Sequence, residues 1–352
     1  MKLKISFLLD HSLKDYRIPF FEQLIHKGYD VTVCHIGPIN ENFSKKKQII
    51  STRTQLGPIE YRKNNKLNHN DIVIYMQNLR IINLWINTLN PFRKYKLLHW
   101  GIGSSSANGM VLKKNFISRL RNFLSSYSDA IILYSELPIN LFSKLNQKKI
   151  FVAHNTIENN LKINAALQKK DSFIFIGALS KRKGFDELLI SFSNYLKSAS
   201  VLKINKLLII GEGPLKEQIK IKAKELKLEN NIVFCGKITD LKKKAEYFNR
   251  AIVTISPLQA GLSVLESFSF GVPFITFKNA ISGGEHSNIQ NDKTGFLVNS
   301  VAEITEKMLF LNSNSKDAEK MGQAAYDHYH NHRKIEDMAL KFIDAIHFTF
   351  QK

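Results

Sequence analysis

Short apolar runs alternate with longer helical patterns along the first half of the chain. Residues 4–9 are apolar, residues 16–26 repeat with helical spacing, and residues 29–36 alternate like a strand. A strand, a helix and a second strand in so short a segment predict a parallel sheet with helical crossovers. Further strands are predicted at residues 72–75, 96–100, 130–134 and 150–153.

A second series of the same kind begins after residue 170. It predicts strands at residues 172–176, 207–210, 232–235, 252–255 and 273–276, and helix throughout residues 302–351. We therefore expect the α/β class, with two Rossmann-like doubly wound domains facing a cleft. The expected divisions are an N-terminal domain at 1–158, a polar linker at 159–170, a second domain at 171–330, and a C-terminal helix at 331–352 that packs back on the N-terminal domain.

Composition adds a strong positive charge to this picture. The 352 residues carry a net charge of +21, and residues 1–160 hold 23 Lys and Arg against 10 Asp and Glu. Such a charge indicates an anionic partner, which could be lipid, nucleic acid or a phosphorylated substrate. We find no nucleic-acid recognition motif and expect no nucleic-acid partner. The two cysteines are too few for a disulfide framework or a zinc site.

The basic residues are most suggestive in residues 110–125, MVLKKNFISRLRNFLS. Read as one helix, this segment places Lys113, Lys114, Arg119 and Arg121 among apolar side chains, which suits an anionic membrane interface. An ordinary helix packed on the sheet with a solvated cationic rim explains it equally well. The N-terminal apolar run is too short for a signal peptide, and no stretch is long enough to span a bilayer. We expect a cytoplasmic protein, peripheral on the inner face of the cytoplasmic membrane.

A basic turn follows the first strand of the second series. In FIGALSKRKGFDELL the strand ends at Gly177, and Lys181, Arg182 and Lys183 precede a helix that starts near Phe185. Cations beside a helix N-terminus can bind a diphosphate. A solvated basic turn is the alternative interpretation.

A glycine turn, Gly211-x-Gly213-Pro214, follows the next strand and opens a helix. It is similar to a nucleotide-binding turn that lacks the third glycine. The signal is weak alone, because many turns of this type use glycine for steric reasons.

Residues 255–276, ISPLQAGLSVLESFSFGVPFIT, carry the most informative pattern: a strand, a glycine turn and a helix with one carboxylate. Glu266 lies about one helical turn beyond Ser263, so it is expected near the carboxyl edge of the sheet. A carboxylate there can accept hydrogen bonds from both ribose hydroxyls. A glycine-rich loop at residues 281–298 adds Glu285 and His286, which a solvated loop explains as well as catalysis does.

The order and spacing of these segments resemble glycosyltransferase family 4, retaining enzymes of the GT-B fold that use nucleotide-sugar donors. In the first half, KISFLLDHSLKDYRIPFFEQL resembles the first strand and helix of members that build bacterial surface polysaccharides. LLHWGIG resembles their Trp-Gly-His-Gly segment, and IFVAHNTI the strand that closes their first domain.

The resemblance implies a role for each matching residue. Lys183 would hold the donor diphosphate with Arg182, Glu266 would bind ribose, and His99 would complete the catalytic set. The remaining donor-binding positions are Gly261, Leu262 and Ser263 for sugar and phosphate, Gly211 and Gly213 for the nucleotide pocket, and Gly236 and Lys237 for the base.

Three positions depart from the family pattern. Leu258 stands where a second glutamate, eight residues before Glu266, is usual, and Ala178 replaces an arginine for which Arg182 could substitute. Ile102 replaces the histidine of Trp-Gly-His-Gly, which leaves His99 as the nearest imidazole. These departures affect contacts to the sugar and the diphosphate.

The expected function is retaining transfer of a sugar from a nucleotide-diphosphate sugar, UDP- or GDP-linked, to a polyprenyl-linked saccharide of a surface polysaccharide. No Asp-x-Asp pair is present, so neither a metal nor another cofactor is expected. Two alternatives remain: a non-catalytic GT-B nucleotide-binding subunit, and a sugar-nucleotide epimerase of the same architecture.

Overall fold

The computed structural model describes residues 2–63, 67–104, 110, 112–161, 170–198 and 203–351. Contacts divide the chain into two compact units. The first contains the described residues up to Glu158 together with those from Ile335 onward, and the second contains Asn159–Lys334. Most of the predicted linker, residues 162–169, lies outside the described residues.

The first unit is built on a parallel sheet with the order β3-β2-β1-β6-β7-β8-β9. Its strands are β1 (Lys4–Leu8), β2 (Asp30–His35), β3 (Gln48–Ile50), β4 (Thr52–Leu56), β5 (Ile59–Lys63), β6 (Ile72–Met76), β7 (Lys96–Gly101), β8 (Ala130–Leu133) and β9 (Ile150–Val152). Its first helices are α1 (Ile18–His26), α2 (Ile82–Leu89), α3 (Phe116–Ser126) and α4 (Lys144–Gln147). Strands β4 and β5 form a separate antiparallel hairpin. The strands predicted from apolar runs are confirmed; β3 and the hairpin were not predicted.

The second unit repeats this plan with the order β12-β11-β10-β13-β14-β15, again with parallel pairing. Its strands are β10 (Ser172–Ile176), β11 (Lys206–Ile210), β12 (Ile232–Gly236), β13 (Ala251–Ile255), β14 (Phe274–Phe277) and β15 (Gly295–Val298). Its helices are α5 (Phe185–Ser198), α6 (Lys216–Glu225), α7 (Leu241–Arg250), α8 (Ser263–Ser269), α9 (Val301–Ser313) and α10 (Ser315–His332). All five strands predicted here are confirmed, and every residue of β10 and β13 is buried.

The final helix, α11 (Ile335–Phe350), belongs to the first unit, where it packs on α1, β8 and β9. Phe342 is fully buried, and its ring centroid lies 4.6 Å from that of Phe20 and 5.2 Å from that of Trp100. Burial of aromatic rings at these edge and tilted distances is strongly stabilising. The helical prediction for residues 302–351 is confirmed, and the structure divides this segment into the three helices α9, α10 and α11.

The basic segment also differs from its prediction as one helix from residue 110. Helix α3 starts only at Phe116, because Asn115 and Ser118 form a capping box in which each side chain bonds the other's backbone N–H at 2.8 Å. Lys113 and Lys114 therefore precede the helix. Arg121 is buried, not on the solvated face, and desolvation lowers its pKa. Among the described residues, no helix is long and apolar enough to cross a membrane.

Candidate functional site

The strand order of the second unit fixes where a ligand can bind. Strand β10 pairs with β11 on one side and with β13 on the other, so the connections after β10 and β13 leave the sheet in opposite directions. Loops that diverge in this way leave a crevice outside the carboxyl ends of the two strands. The basic turn follows β10 and the Glu266 helix follows β13, so both predicted ligand-binding segments lie at this switch point.

Among the cations of the basic turn, Lys183 is the one whose side chain packs against the site. Residues Lys181–Lys183 form a short 3-10 turn that ends at Gly184, whose φ of 76° is in the left-handed region. A Cβ added to Gly177 would lie 3.3 Å from both Cε and Nζ of Lys183, so the lysine side chain folds over that glycine. Arg182, in contrast, is exposed.

Burial lowers the pKa of Lys183 to about 8 from its ordinary value of 10.5. Desolvation is the main cause, and the positive charge of Arg182 adds to it, while the charges of Glu285 and Glu266 act in the opposite direction. The lysine is thus a poorly hydrated cation that interacts electrostatically with two carboxylates. Such a cation gains much from an anionic ligand with several oxygens.

Glu266 lies in the first turn of α8 and forms an ion pair that the sequence did not predict. Its Oε1 accepts a hydrogen bond from Nζ of Lys244 on α7 at 2.5 Å, and each side chain is 16% exposed. At the start of the same helix, the hydroxyl of Ser263 is buried with no hydrogen-bond partner among the described residues. A carboxylate, and a hydroxyl with no hydrogen-bond partner in the described part of the chain, therefore lie in the first turn of the helix that follows β13.

Leu258 occupies the position where the family pattern has a carboxylate. Its side chain packs against Gly184, since a Cβ added there would lie 2.8 Å from Cγ of Leu258. Its N–H points to the carbonyl of Lys183 at 3.4 Å. The leucine therefore joins the β13 loop to the basic turn and brings no charge.

Glu285 supplies a second carboxylate near Lys183 from another loop. It is 7% exposed and its Oε2 accepts the N–H of Gly283 at 3.0 Å, so the solvated-loop interpretation is wrong for this residue. Desolvation lowers the pKa of the neighbouring His286. Nothing local in the sequence distinguished Glu285 from an exposed glutamate, because its burial depends on the packing of the loop after β14.

The predicted glycines divide into two kinds. Gly211 and Gly213 are required sterically, because an added Cβ would lie 1.8 Å from the carbonyl oxygen of Gly177 and 2.4 Å from that of Leu179. These glycines let the turn after β11 lie directly on the turn after β10. An added Cβ at Gly261 would meet nothing within 4 Å. Packing against the described protein atoms therefore does not require a glycine at position 261.

Gly236 is the last residue of β12 and Lys237 follows it, at the place where the base was expected. Gly236 has a φ of 69°, and Lys237 is exposed. The structure thus brings the turns that carry Lys183, Gly211 and Gly236 to one edge of one sheet. Among the described residues, no group of three or more His, Cys, Asp or Glu could hold a metal ion.

The histidine expected to be catalytic, His99, is buried within the first unit. It lies in the first unit on β7, is fully buried and bonds Oγ1 of Thr88 through Nε2 at 3.0 Å. Desolvation, reinforced by the charges of Lys149 and Arg93, lowers its pKa to about 3 and keeps the ring neutral. This burial contradicts the catalytic role expected of His99. Ile102, the residue in place of the family histidine, packs against the core of the first unit.

The first unit has its own switch point, between β1 and β6, with a histidine that the sequence did not single out. His11 follows β1 beside Asp10, with Nε2 of His11 3.8 Å from Oδ1 of Asp10. Asn78, which follows β6, donates to Oδ2 of Asp10 at 3.3 Å. His11 is partly exposed, and desolvation is the main cause of its lowered pKa. His11 therefore places an imidazole at the carboxyl edge of this sheet, where a ligand could reach it.

Doubly wound sheets with a cation and a carboxylate at the switch point are typical of nucleotide-binding proteins. Comparison with known proteins makes the class specific. Residues 156–328, just under half of the chain, match the family model described as glycosyl transferases group 1.

Two curated relatives extend the match beyond the second unit. The chain is 28% identical over 211 residues to the alpha-1,3/1,6-mannosyltransferase ALG2 of Dictyostelium discoideum, covering 55% of this chain and 49% of that protein. It is 23% identical over 257 residues to the poly(ribitol-phosphate) alpha-N-acetylglucosaminyltransferase of Staphylococcus aureus, covering 72% of this chain and 50% of that protein. The chain therefore spans about half the length of these relatives.

The fold matches solved glycosyltransferase structures over nearly the whole chain. HepE of Anabaena, crystallised in complex with UDP, superimposes with a TM-score of 0.73 at 12% identity, covering 99% of this chain and all of that one. At this identity the similarity shows the fold alone. That fold is GT-B, as expected from the sequence.

The open space at Gly261 gives a first prediction. We expect Gly261→Ala to leave the thermal unfolding temperature unchanged, because the new methyl group meets no described protein atom. If the loop contacts a nucleotide ligand, UDP or GDP should bind about tenfold more weakly, the cost of disturbing one hydrogen bond to an anion. The control is Gly211→Ala, which should lower the unfolding temperature through its clash with Gly177. Unchanged nucleotide affinity in Gly261→Ala would remove this loop from the site.

The low pKa of Lys183 gives a second prediction. The charged lysine binds a diphosphate better, so binding must raise its pKa, and affinity should fall as the pH rises above about 8. Calorimetric titration of UDP and GDP between pH 7 and 10 measures this fall. In Lys183→Arg the guanidinium stays charged, and affinity should remain level over the same range. A wild-type affinity that does not change with pH would contradict the assignment of Lys183.

Proposed function

We propose that this chain transfers a sugar from a nucleoside diphosphate sugar to an acceptor. The observation that carries the proposal is the position of Lys183 and Glu266 at the ends of the adjacent strands β10 and β13. A half-buried cation suits the diphosphate, and a carboxylate one turn into the neighbouring helix suits the ribose diol. The group 1 family match of residues 156–328 and the UDP bound to HepE support a nucleotide-sugar donor.

In this proposal Lys183 and Arg182 stabilise the negative charge that develops on the departing diphosphate. They would do so without a metal ion or other cofactor. Gly261, Leu262 and Ser263 would contact the phosphate and the sugar, and Gly236 and Lys237 the base. Gly211 and Gly213 would shape the pocket indirectly, because their small size brings two ligand-binding turns together.

Retention at the anomeric carbon is the second part of the proposal. Both curated relatives are named for alpha-linked products, as transfer with retention from an alpha-linked nucleotide sugar would give. In such a transfer the acceptor hydroxyl attacks the face from which the diphosphate leaves, and the diphosphate itself can take the proton. No protein nucleophile is then required. The roles left to the protein are holding the donor, balancing its charge and excluding water.

The donor sugar itself would meet Glu285. Leu258 offers no hydrogen-bond acceptor on its side chain, whereas Glu285 is a buried carboxylate whose charge acts on Lys183. We therefore assign Glu285, in place of a carboxylate at position 258, to the hydroxyls of the sugar ring. On the acceptor side, His11 and Asp10 at the switch point of the first unit replace His99 as the candidate polar groups.

The ribose assignment is tested by a thermal-shift panel of UDP, GDP, CMP and their sugars on wild type and Glu266→Ala. We expect a diphosphate nucleotide to stabilise the wild type and to bind the variant at least tenfold more weakly, because hydrogen bonds to a carboxylate contribute ~1.5–3 kcal/mol. Glu246→Ala, an exposed glutamate on α7, is the matched control and should behave as wild type. Equal stabilisation of wild type and Glu266→Ala would overturn the assignment.

The products of the reaction distinguish the proposed transferase from the two alternatives, an epimerase and a non-catalytic subunit. An epimerase would change the sugar of the donor with no acceptor present, whereas a transferase needs an acceptor or water. A non-catalytic subunit would bind the nucleotide and show neither transfer nor donor hydrolysis across a broad panel. Products formed only with an acceptor would support the proposal.

The acceptor is proposed to be a polyprenyl-linked saccharide for a surface polysaccharide, met at an anionic membrane. Around α3 the first unit exposes four large apolar side chains, which we call the α3 surface: Phe116 at 77%, Phe123 at 49%, Tyr127 at 48% and Ile117 at 46%. Lys113, Lys114 and Arg119 are exposed beside them. Aromatic rings bordered by cations suit the headgroup region of an anionic bilayer. This proposal places the chain in the cytoplasm, on the inner face of the cytoplasmic membrane.

Flotation with vesicles containing phosphatidylglycerol tests the membrane proposal. We expect binding at low salt that weakens in Phe116→Ser/Phe123→Ser and in Lys113→Glu/Lys114→Glu. Removing two lysines near an anionic surface costs about 2 kcal/mol, or ~30-fold in partitioning. Leu340→Ser and Lys242→Glu/Lys243→Glu, at exposed positions elsewhere, are the matched controls and should float as wild type. Failure of the wild type to float at low salt would count against the proposal.

A further inference from the structure

The ion pair between Lys244 and Glu266 connects two parts of the candidate site. Lys244 lies near the start of α7, whose N-terminus is capped by Asp240 through a 2.7 Å hydrogen bond from the N–H of Lys243. This helix follows the end of β12 at Gly236 and the loop that begins with Lys237. Glu266 lies on α8, after β13. The pair therefore links the loop expected to meet the base with the carboxylate expected to meet the ribose.

Lys244 differs from its neighbours on α7 in its surroundings. Lys242 and Lys243 are exposed, whereas the side chain of Lys244 is only 16% exposed and reaches Glu266 at 2.5 Å. Drawing a lysine and a glutamate together in a partly buried position costs desolvation of both charges. A solvated lysine on a helix surface would avoid that cost. The pairing thus indicates a use for this lysine that its two neighbours do not share.

Geometry limits how a diol can meet this carboxylate. Lys244 holds Oε1, and Oε2 accepts no hydrogen bond from a described residue. Each carboxylate oxygen has two acceptor positions, so Oε1 can bond the ammonium and one ribose hydroxyl while Oε2 bonds the other. With Oε1 fixed, the plane of the carboxylate is set before the nucleotide arrives. Without Lys244, the side chain of Glu266 could rotate freely about its terminal bonds.

We propose that Lys244 is the positioning residue of the ribose site, which orients Glu266 so that nucleotides with an intact 2′,3′-diol are selected over 2′-deoxynucleotides. This inference rests on the proposed function, because it assumes that Glu266 binds the ribose. It assigns to Lys244 a contribution to nucleotide selectivity that acts through Glu266. The diphosphate, held by Lys183, is not affected by it.

The test compares ribonucleotide and deoxyribonucleotide affinities in matched variants. Dissociation constants for UDP, dUDP, GDP and dGDP are measured with wild type, Lys244→Met and Lys243→Met, the exposed neighbour on the same helix. We expect wild type to favour the ribonucleotide by ~10-fold or more, the value of a hydrogen bond to a carboxylate. In Lys244→Met this preference should fall towards one, mainly by loss of ribonucleotide affinity. Lys243→Met should keep the wild-type preference.

Lys244→Arg provides the rescue and a second measure of the same role. Its guanidinium can still bond Glu266, so most of the preference should return. If Lys244→Met unfolds at a lower temperature, Lys244→Gln, which keeps an N–H donor, replaces it and should show an intermediate preference. Pyrophosphate affinity should be the same in all these variants.

Three outcomes overturn the inference, and they are distinguishable. A wild-type preference retained in a folded Lys244→Met would overturn the role of Lys244 and leave the proposed function intact. Tighter ribonucleotide binding in Lys244→Met would do the same, because it would show that the lysine competes with the ribose. If the wild type binds neither UDP nor GDP, the proposed function fails and the inference fails with it.

Discussion

The candidate site depends on the parallel pairing of β10 with β13. Because β11 pairs with the other edge of β10, the chain must cross the sheet in opposite directions after these two strands. This constraint opens a crevice at their carboxyl ends and sends one loop from each strand into it. The turn that ends at Lys183 and the loop that leads to Glu266 are neighbours for this reason alone. The residues differ in chain position by more than 80, yet the sheet places them at one edge.

The charges at this edge are arranged before any ligand binds. Lys183 is half-buried, and the desolvation that lowers its pKa is already present in the free protein. Glu266 is already paired with Lys244, and Glu285 is held by the backbone of its own loop. A nucleotide diphosphate would replace water around Lys183 with phosphate oxygens. The site therefore needs little reorganisation when the ligand enters, which favours both affinity and electrostatic stabilisation of a leaving group.

Much of the fold could be predicted from the sequence because the central strands are buried on both faces. β10 and β13 read as continuous apolar runs, which have no other stable place in a soluble domain. The hairpin of β4 and β5 was missed because every residue of β4 is exposed and no apolar alternation marks it. The start of α3 was misplaced because the capping box formed by Asn115 and Ser118 outweighs the amphipathic pattern before it.

The site could be predicted only where its chemistry is local. Lys183 and Glu266 lie in the connections that follow β10 and β13, so their positions could be inferred from the sheet. Lys244 was missed because its pairing with Glu266 joins two separate helices, and a lysine among lysines carries no local signal. His99 was chosen only as the imidazole nearest a motif, and its complete burial was not predicted. Tertiary packing decides each of these cases.

Leu258 and Glu285 together explain how the site can lack one expected carboxylate and still place negative charge near Lys183. Leu258 packs on Gly184 and joins the partly buried apolar residues around the core of the second unit, where a carboxylate would lose its water. The negative charge near Lys183 is restored by Glu285, which comes from the loop after β14 and not from the loop after β13. Although position 258 carries no carboxylate, the charges of two carboxylates, Glu285 and Glu266, still act on Lys183. If Glu285 binds the sugar as proposed, a carboxylate from a different loop would meet a different edge of the sugar ring and would select which hydroxyls the donor presents. The proposed contacts of Lys183 to the diphosphate would not change.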